Sequence, residues 1–272
     1  MMMILKDIVF FVLGVYLLVV GYLYYAQRTL MYFPDKKAAE VPYGLQTVTV
    51  STSDGVLLTS WYMPPTSKDK PVLLYFHGNG GKASDRYQKI QTYTKAGYGV
   101  LLAEYRGFGG NAGHITEQGL YLDGRAWMHW LMDGKNIPAS KIVLYGESLG
   151  SGVAVQLATE FSVSGLVLEV PYLSMLDMAK HSYPYVPVNL MLKDRFMNSE
   201  KIANINMPLL VMHGGEDEII PLAQAEALYA LAKEPKTFVG FPKGHHTDLY
   251  QYGAADSVLT FIGQLDKPAG SE

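Results

Sequence analysis

The sequence predicts an α/β protein built on a mostly parallel central sheet with helices on both faces, preceded by a helix that crosses a membrane. Three observations carry that prediction. Short, continuous apolar runs recur at residues 72–76 (VLLYF), 99–104 (GVLLAE), 142–145 (IVLY), 165–169 (GLVLE), 209–213 (LLVMH) and 237–241 (TFVGF). A strand buried on both faces reads as such a run rather than as an alternation. Stretches of helical length separate the runs, at about 84–96, 117–132, 150–161, 222–231 and 256–265. Strands that alternate with helices build a parallel sheet. Finally, residues 8–27 (IVFFVLGVYLLVVGYLYYAQ) contain no charge, which is about 30 Å of helix and one hydrocarbon core thick.

From the N-terminus, residues 1–28 read as an uncleaved transmembrane anchor. A cleaved signal has a shorter apolar stretch of roughly 7–15 residues that ends in small side chains, whereas this one ends in Tyr24-Tyr25-Ala26-Gln27-Arg28. Tyr22, Tyr24, Tyr25 and Tyr32 cluster at that end, as in an interfacial aromatic belt. Lys6 precedes the span, and Arg28, Lys36 and Lys37 follow it. The count of basic residues and the short tail of a signal anchor point to opposite sides of the membrane, so no side is assigned. Residues 29–272 read as one domain. Residues 46–51 and 56–63 form a hairpin around Ser53-Asp54-Gly55, and the alternating strands and helices follow. The long connection between Glu169 and Leu209 is rich in Tyr, Met and Pro. Such a connection in a compact domain is usually functional or disordered, and this composition argues against disorder. A small cap insertion is expected at about 171–205, with Tyr172, Met175 and Tyr183 contacting substrate.

Composition narrows the functional classes. Of 272 residues, 49% are apolar and 17% charged. Setting residues 1–27 aside raises the charged share only to about 18%, still below the usual ~25%, so the low charge belongs mainly to the domain. A net charge of −3 gives no footprint for nucleic acid. The absence of Cys removes disulfide scaffolds, thiol catalysis and Cys-ligated zinc.

Gly146-Glu147-Ser148-Leu149-Gly150 fits G-x-S-x-G between an expected strand and an expected helix. That is the context of a nucleophile elbow, so Ser148 is the expected nucleophile. Serine needs a base to take its proton and a carboxylate to orient the base. These partners should follow in the order acid, then His, on loops after later strands. After residues 209–213 come Glu216, Asp217 and Glu218, three competing carboxylates; after residues 237–241 come His245 and His246. Adjacent residues do not both point into one site. They are also poorly spaced to share an ion, so with Asp248 they form no expected metal site. The backbone N–H of Leu149 and that of Asn79, in His77-Gly78-Asn79-Gly80-Gly81, are the expected oxyanion donors.

Together these residues resemble the α/β-hydrolase superfamily and, more closely, its bud-emergence (Bem-like) membrane-anchored α/β-hydrolase-domain proteins. The resemblance rests on Tyr32-Phe33-Pro34, Phe76 to Gly81, Glu104-Tyr105-Arg106-Gly107-Phe108-Gly109, Tyr145 to Gly150, Asp194-Arg195-Phe196, His213 to Pro221 and the His246 loop. It implies an α/β-hydrolase fold with Ser148 as nucleophile, Asp217 as acid, His246 as base, and Asn79 with Leu149 as the oxyanion hole. Glu104 stands where the family more often has Asp, and His246-Thr247-Asp248 replaces a more usual His-Asn-Asp. The expected function is a membrane-anchored serine hydrolase of carboxylic esters or thioesters, acting on a small-molecule or lipid acyl ester without metal or organic cofactor. The alternatives are a peptidase or amidase on the same triad, or a non-catalytic scaffold at the membrane.

Overall fold

Eight strands form the central sheet of the computed structural model, which describes residues 2–38 and 40–265. They are β1 (Gln46–Ser51), β2 (Leu57–Met63), β3 (Val72–Phe76), β4 (Gly99–Ala103), β5 (Ile142–Glu147), β6 (Gly165–Glu169), β7 (Leu209–Gly214) and β8 (Lys236–Phe241). Across the sheet they lie in the order β1, β2, β4, β3, β5, β6, β7, β8. The β1/β2 and β2/β4 pairs are antiparallel and all others parallel. The chain therefore leaves β3 toward β4 on one side and later returns to add β5 on the other. In an open parallel sheet the crevice at such a reversal, outside the carboxyl ends of the strands, is where ligands bind.

The continuous apolar runs have the expected origin. Every residue of β3, β4, β5 and β6 is buried. Alternate side chains enter different cores, as the two-residue period of a strand requires. Val72, Leu74 and Phe76 join one core with Trp127, Val153 and Leu228; Leu73 and Tyr75 join the other with Ile90, Tyr93 and Phe261.

The helices are α1 (Met2–Met31), α2 (Tyr87–Lys95), α3 (Glu117–His129), α4 (Leu149–Glu160), α5 (Met175–Ser182), α6 (Val188–Met191), α7 (Asn198–Lys201), α8 (Leu222–Leu231) and α9 (Ala254–Leu265). Helices α3, α4 and α8 supply the first core, α2 and α9 the second. Thr116 caps α3, its hydroxyl accepting the Gly119 N–H at 2.9 Å. Where the sequence predicts α3 running on to Met132, the last stretch, Trp130–Gly134, is a wider π turn. The 171–205 segment holds α5, α6 and α7, each of one or two turns.

Helix α1 extends past its apolar stretch at both ends, taking in Lys6, Asp7 and Arg28, and buries none of its residues. Directly after it, Phe33–Pro34 pairs in parallel with Gly80–Gly81. The Phe33 N–H donates to Asn79 O at 2.8 Å and the Asp35 N–H to Gly81 O at 2.9 Å. This pairing is absent from the sequence reading, because two residues are too few to show any hydrophobic period.

Candidate active site

Ser148 sits between the last residue of β5 and the first of α4, with φ 50° and ψ −116°. A non-glycine residue at positive φ is strained and persists only where its surroundings hold it. Here the Ser148 N–H donates to Glu169 O at 2.9 Å, and its carbonyl accepts from the Ser151 N–H at 2.9 Å. The flanking glycines serve the same turn. A Cβ on Gly146 would lie 2.6 Å from Gly150 O and from Ser151 Cα, while one on Gly150 would strike the backbone of Phe76. The sharp turn thus lifts Ser148 above the carboxyl end of β5, beside the end of β3.

Three side chains from three loops meet there. His246 Nε2 lies 3.1 Å from Ser148 Oγ, and His246 Nδ1 lies 2.8 Å from Asp217 Oδ2. A carboxylate only accepts, so Nδ1 carries the proton and the Nε2 lone pair faces the hydroxyl. Asp217 Oδ1 accepts the N–H groups of Ile219 (2.8 Å) and Ile220 (2.9 Å), which fixes the carboxylate plane. Burial acts to raise the Asp217 pKa, but the bond from His246 and those two backbone donors outweigh it and hold the carboxyl below its usual value. The two loops are stitched together, Gly215 N–H to Phe241 O at 2.8 Å and Glu216 N–H to Gly244 O at 2.9 Å.

The structure also places the competing residues. His245 turns outward, 3.5 Å from Glu216 and 3.8 Å from Glu218, with its side chain 44% exposed. Asp248 binds the His245 backbone N–H at 2.7 Å and shapes the loop. His213 is fully buried behind Asp217, its Nε2 3.7 Å from Asp217 Oδ2. Burial keeps its pKa below the ordinary imidazole value, so it adds no positive charge beside Asp217 near neutral pH.

Leu149 opens α4, and the first amides of a helix have no partner within it. The Asn79 side chain turns away to donate to Met31 O at 2.9 Å, so the group that Asn79 can offer an oxyanion is its backbone N–H. Behind this loop His77 and Glu104 form a fully buried pair at 2.8 Å. Glu104 also accepts the Ala83 N–H at 2.9 Å, which ties the turn after the 77–81 loop to the end of β4.

Ser148 and Asn79 lie in the wall of a cavity of about 270 Å³, lined further by Met175, Met178, Tyr183, Val186, Val188 and Met191 from the 171–205 segment and by Ile219 and Ile220. No Asp, Glu, Lys, Arg or His side chain is among its lining residues. Two of the three substrate-contact residues expected from sequence, Met175 and Tyr183, are therefore in the wall. Tyr172 is not, and that expectation is corrected. It is fully buried against α4, its hydroxyl donating to Leu149 O at 3.2 Å and filling the space opposite Gly152. The chain has only just left β6 at that point and is still in the core.

Sequence reading missed two features. One is that Leu23, Tyr24, Gln27, Leu30 and Met31 of α1 form a wall of the same cavity. The other lies beneath Ser148. Glu147 accepts from Tyr75 Oη (2.6 Å), Arg86 (2.7 Å) and Lys89 (3.2 Å); Glu169 accepts from Lys89 (2.8 Å) and Tyr145 Oη (2.6 Å). Burial opposes the charge on Glu147, yet Lys89 and Arg86 prevail and hold its carboxyl well below the usual value. Arg86 and Lys89 lie three residues apart in a polar stretch that carries no sign of burial.

The alpha/beta hydrolase fold family matches residues 71–201. An uncharacterized protein of Mycobacterium tuberculosis is 38% identical over 236 residues, which cover 85% of this chain and 84% of that protein. Protein bem46 of Schizosaccharomyces pombe is 32% identical over 254 residues, covering 87% of this chain and 85% of that one. The chain belongs to the α/β-hydrolase family. An esterase from Pyrococcus furiosus shares the fold of this α/β-hydrolase at a TM-score of 0.70 and 20% identity, over 87% of this chain and 98% of that one. At that identity the likeness concerns the fold alone.

Proposed function

We propose that this α/β-hydrolase is a membrane-anchored serine hydrolase that cleaves carboxylic ester or thioester bonds of an acyl substrate. The observation that carries the proposal is the Ser148–His246–Asp217 chain of 3.1 and 2.8 Å contacts, opening on a cavity without charged walls. Ser148 Oγ attacks the acyl carbonyl while His246 Nε2 takes its proton. The oxyanion is held by the N–H groups of Leu149 and Asn79. His246 then returns the proton to the leaving alcohol or thiol, and a water activated by the same imidazole releases the acyl group from Ser148. Asp217 holds the imidazole tautomer and stays ionised throughout. A wall without ionic partners favours an uncharged acyl chain, because an unpaired charge is costly to bury.

Residues 1–28 serve as the anchor in this reading, with residues 29–272 as the catalytic domain and about 171–205 as its cap. Loss of α1 as a signal sequence would strip one wall from the cavity. It would also break the two-bonded Arg28–Asp194 pair, with contacts of 2.7 and 3.0 Å. A retained helix is the reading consistent with that packing.

Labelling with a fluorophosphonate probe tests the chemistry. The wild-type chain is expected to label at Ser148 and the Ser148→Ala variant not at all. Equal labelling of the two would remove the nucleophile assignment, and no labelling of either would favour a non-catalytic scaffold. A labelled enzyme inactive on acyl esters of every chain length would instead favour amide chemistry.

A further inference from the structure

We infer that the cap loop at residues 182–192 is itself inserted in the bilayer beside α1, and that the catalytic cavity takes its acyl substrate sideways from that leaflet. This rests on the proposed serine-hydrolase and anchor readings and adds to them where the substrate resides. Three independent observations support it.

The first is that α1 is not a tether. Its last turns form a cavity wall, and the residues just after it pair with the oxyanion loop. The site is therefore held at a fixed height against the helix. Arg28 binds Asp194 through both carboxylate oxygens, Gln27 Oε1 accepts the Lys193 N–H at 2.8 Å, and the Lys193 ammonium lies 4.3 Å from the centre of the Tyr24 ring. This charged and polar seam marks the headgroup level, where Arg, Lys and Tyr concentrate.

The second is how far the cap reaches beyond that seam. Tyr16 Oη donates to Tyr185 O at 2.9 Å. Tyr16 precedes Arg28 by twelve residues, about 18 Å of helix at 1.5 Å per residue. Subtracting a headgroup layer of roughly 5–7 Å leaves Tyr185 about 11–13 Å into a hydrocarbon leaflet about 15 Å deep. A loop bonded to the middle of a membrane-spanning helix shares that helix's surroundings.

The third is the composition of the loop. Between His181 and Lys193 no residue is charged, and the segment reads SYPYVPVNLML. Tyr185 is 87% and Leu190 86% exposed. Apolar exposure of that size in a single loop, continuous with an exposed apolar helix, marks a surface that meets lipid. Exposed members of the cavity wall come from both elements, Tyr24 from α1 and Ser182 and Tyr183 from the cap. The substrate class that fits is a bilayer-resident amphiphile. Its ester or thioester lies near the headgroups and one acyl chain slides between α1 and the cap toward Ser148. A cavity of about 270 Å³ is near the lower end of ligand sites, roughly 300–1,000 Å³. It holds part of one chain and leaves the remainder in the leaflet.

The test uses the full chain in phosphatidylcholine vesicles. In a Leu190→Trp variant, lipid brominated at mid-chain is expected to quench the added fluorescence about twofold beyond the loss seen in the parent protein, while acrylamide quenches it little. Quenching by acrylamide and not by brominated lipid would overturn the insertion. In parallel, Leu190→Asp is expected to cut hydrolysis of a long-chain acyl ester dissolved in the vesicles about tenfold and to leave p-nitrophenyl acetate hydrolysis unchanged. Equal loss on both esters, or on neither, would overturn access from the leaflet. If the wild-type chain cleaves neither ester, the hydrolase reading fails, while the quenching result still decides the insertion.

Discussion

His246→Ala is expected to lower kcat/KM for a p-nitrophenyl ester by about 10⁴–10⁶-fold, whereas His245→Ala stays within about threefold of wild type. The two residues are neighbours in sequence, and the difference comes from where their rings point. His246 lies between Ser148 and Asp217 at hydrogen-bond distance from both. In the proposed mechanism its loss removes the proton acceptor for attack and the proton donor for departure of the leaving group. What remains is the activity of the oxyanion donors and substrate binding alone. His245 faces Glu216 and Glu218 near the surface, and such exposed pairs contribute little. Asp217→Asn should fall close to His246→Ala, by about 10⁴-fold, because an amide can donate to Nδ1 and favours the wrong tautomer. Asn is the better substitution than Ala, since truncation would strand the N–H groups of Ile219 and Ile220. Steady-state kinetics normalised to folded protein measure all three. Equal losses for the two histidine variants would reverse the assignment.

How far these features could be read in the chain depends on whether each rests on local or long-range chemistry. The central strands declared themselves because burial on both faces forces an unbroken apolar run, as in VLLYF at β3. The elbow was legible because its strain needs small residues at fixed offsets, and Gly146 and Gly150 occupy them. The acid and base were placed by resemblance on loops whose residues alone left several candidates, and the geometry now separates those candidates physically. Tyr172 failed for a different reason. An aromatic residue just beyond a strand reads the same whether it faces a ligand or fills the space beside a glycine, here Gly152. The contribution of α1 to the cavity was invisible, because an apolar helix that lines a pocket has the same composition as one that only anchors. The buried ionic cluster was equally silent, since Arg86 and Lys89 look like any solvated helix face until Glu147 and Glu169 are brought beneath them.

That cluster yields the largest expected effect on stability. Lys89→Met should destabilise the protein by about 3–5 kcal/mol, the cost typical of removing one partner from a buried ion pair. For a domain of this size that is a drop in Tm of about 6–20 °C. Among the described residues Lys89 is the one cation paired with Glu169, whose side chain is fully buried, and it shares Glu147 with Arg86. Methionine keeps the unbranched stem and therefore much of the packing, so the loss reports the charge. The pH dependence fixes the sign. Glu147 is held well below its ordinary pKa in the folded chain. Its contribution is therefore present above the unfolded value of about 4.3 and disappears as pH falls through the depressed one. Without Lys89 the buried Glu147 carboxylate accepts a proton more readily. The deficit relative to wild type should then be greatest near pH 7 and shrink toward pH 4. Adding Glu169→Gln to Lys89→Met should restore part of the lost Tm at pH 7, because the amide carries no charge to strand. A deficit unchanged between pH 7 and pH 4, and untouched by the second substitution, would show that Lys89 acts through packing. The cluster also supports the turn that carries Ser148, since the Glu169 carbonyl accepts the Ser148 N–H and Glu147 directly precedes Ser148. Loosening the pair should lower kcat more than it changes KM, a pattern that loss of a cavity-wall side chain would not produce.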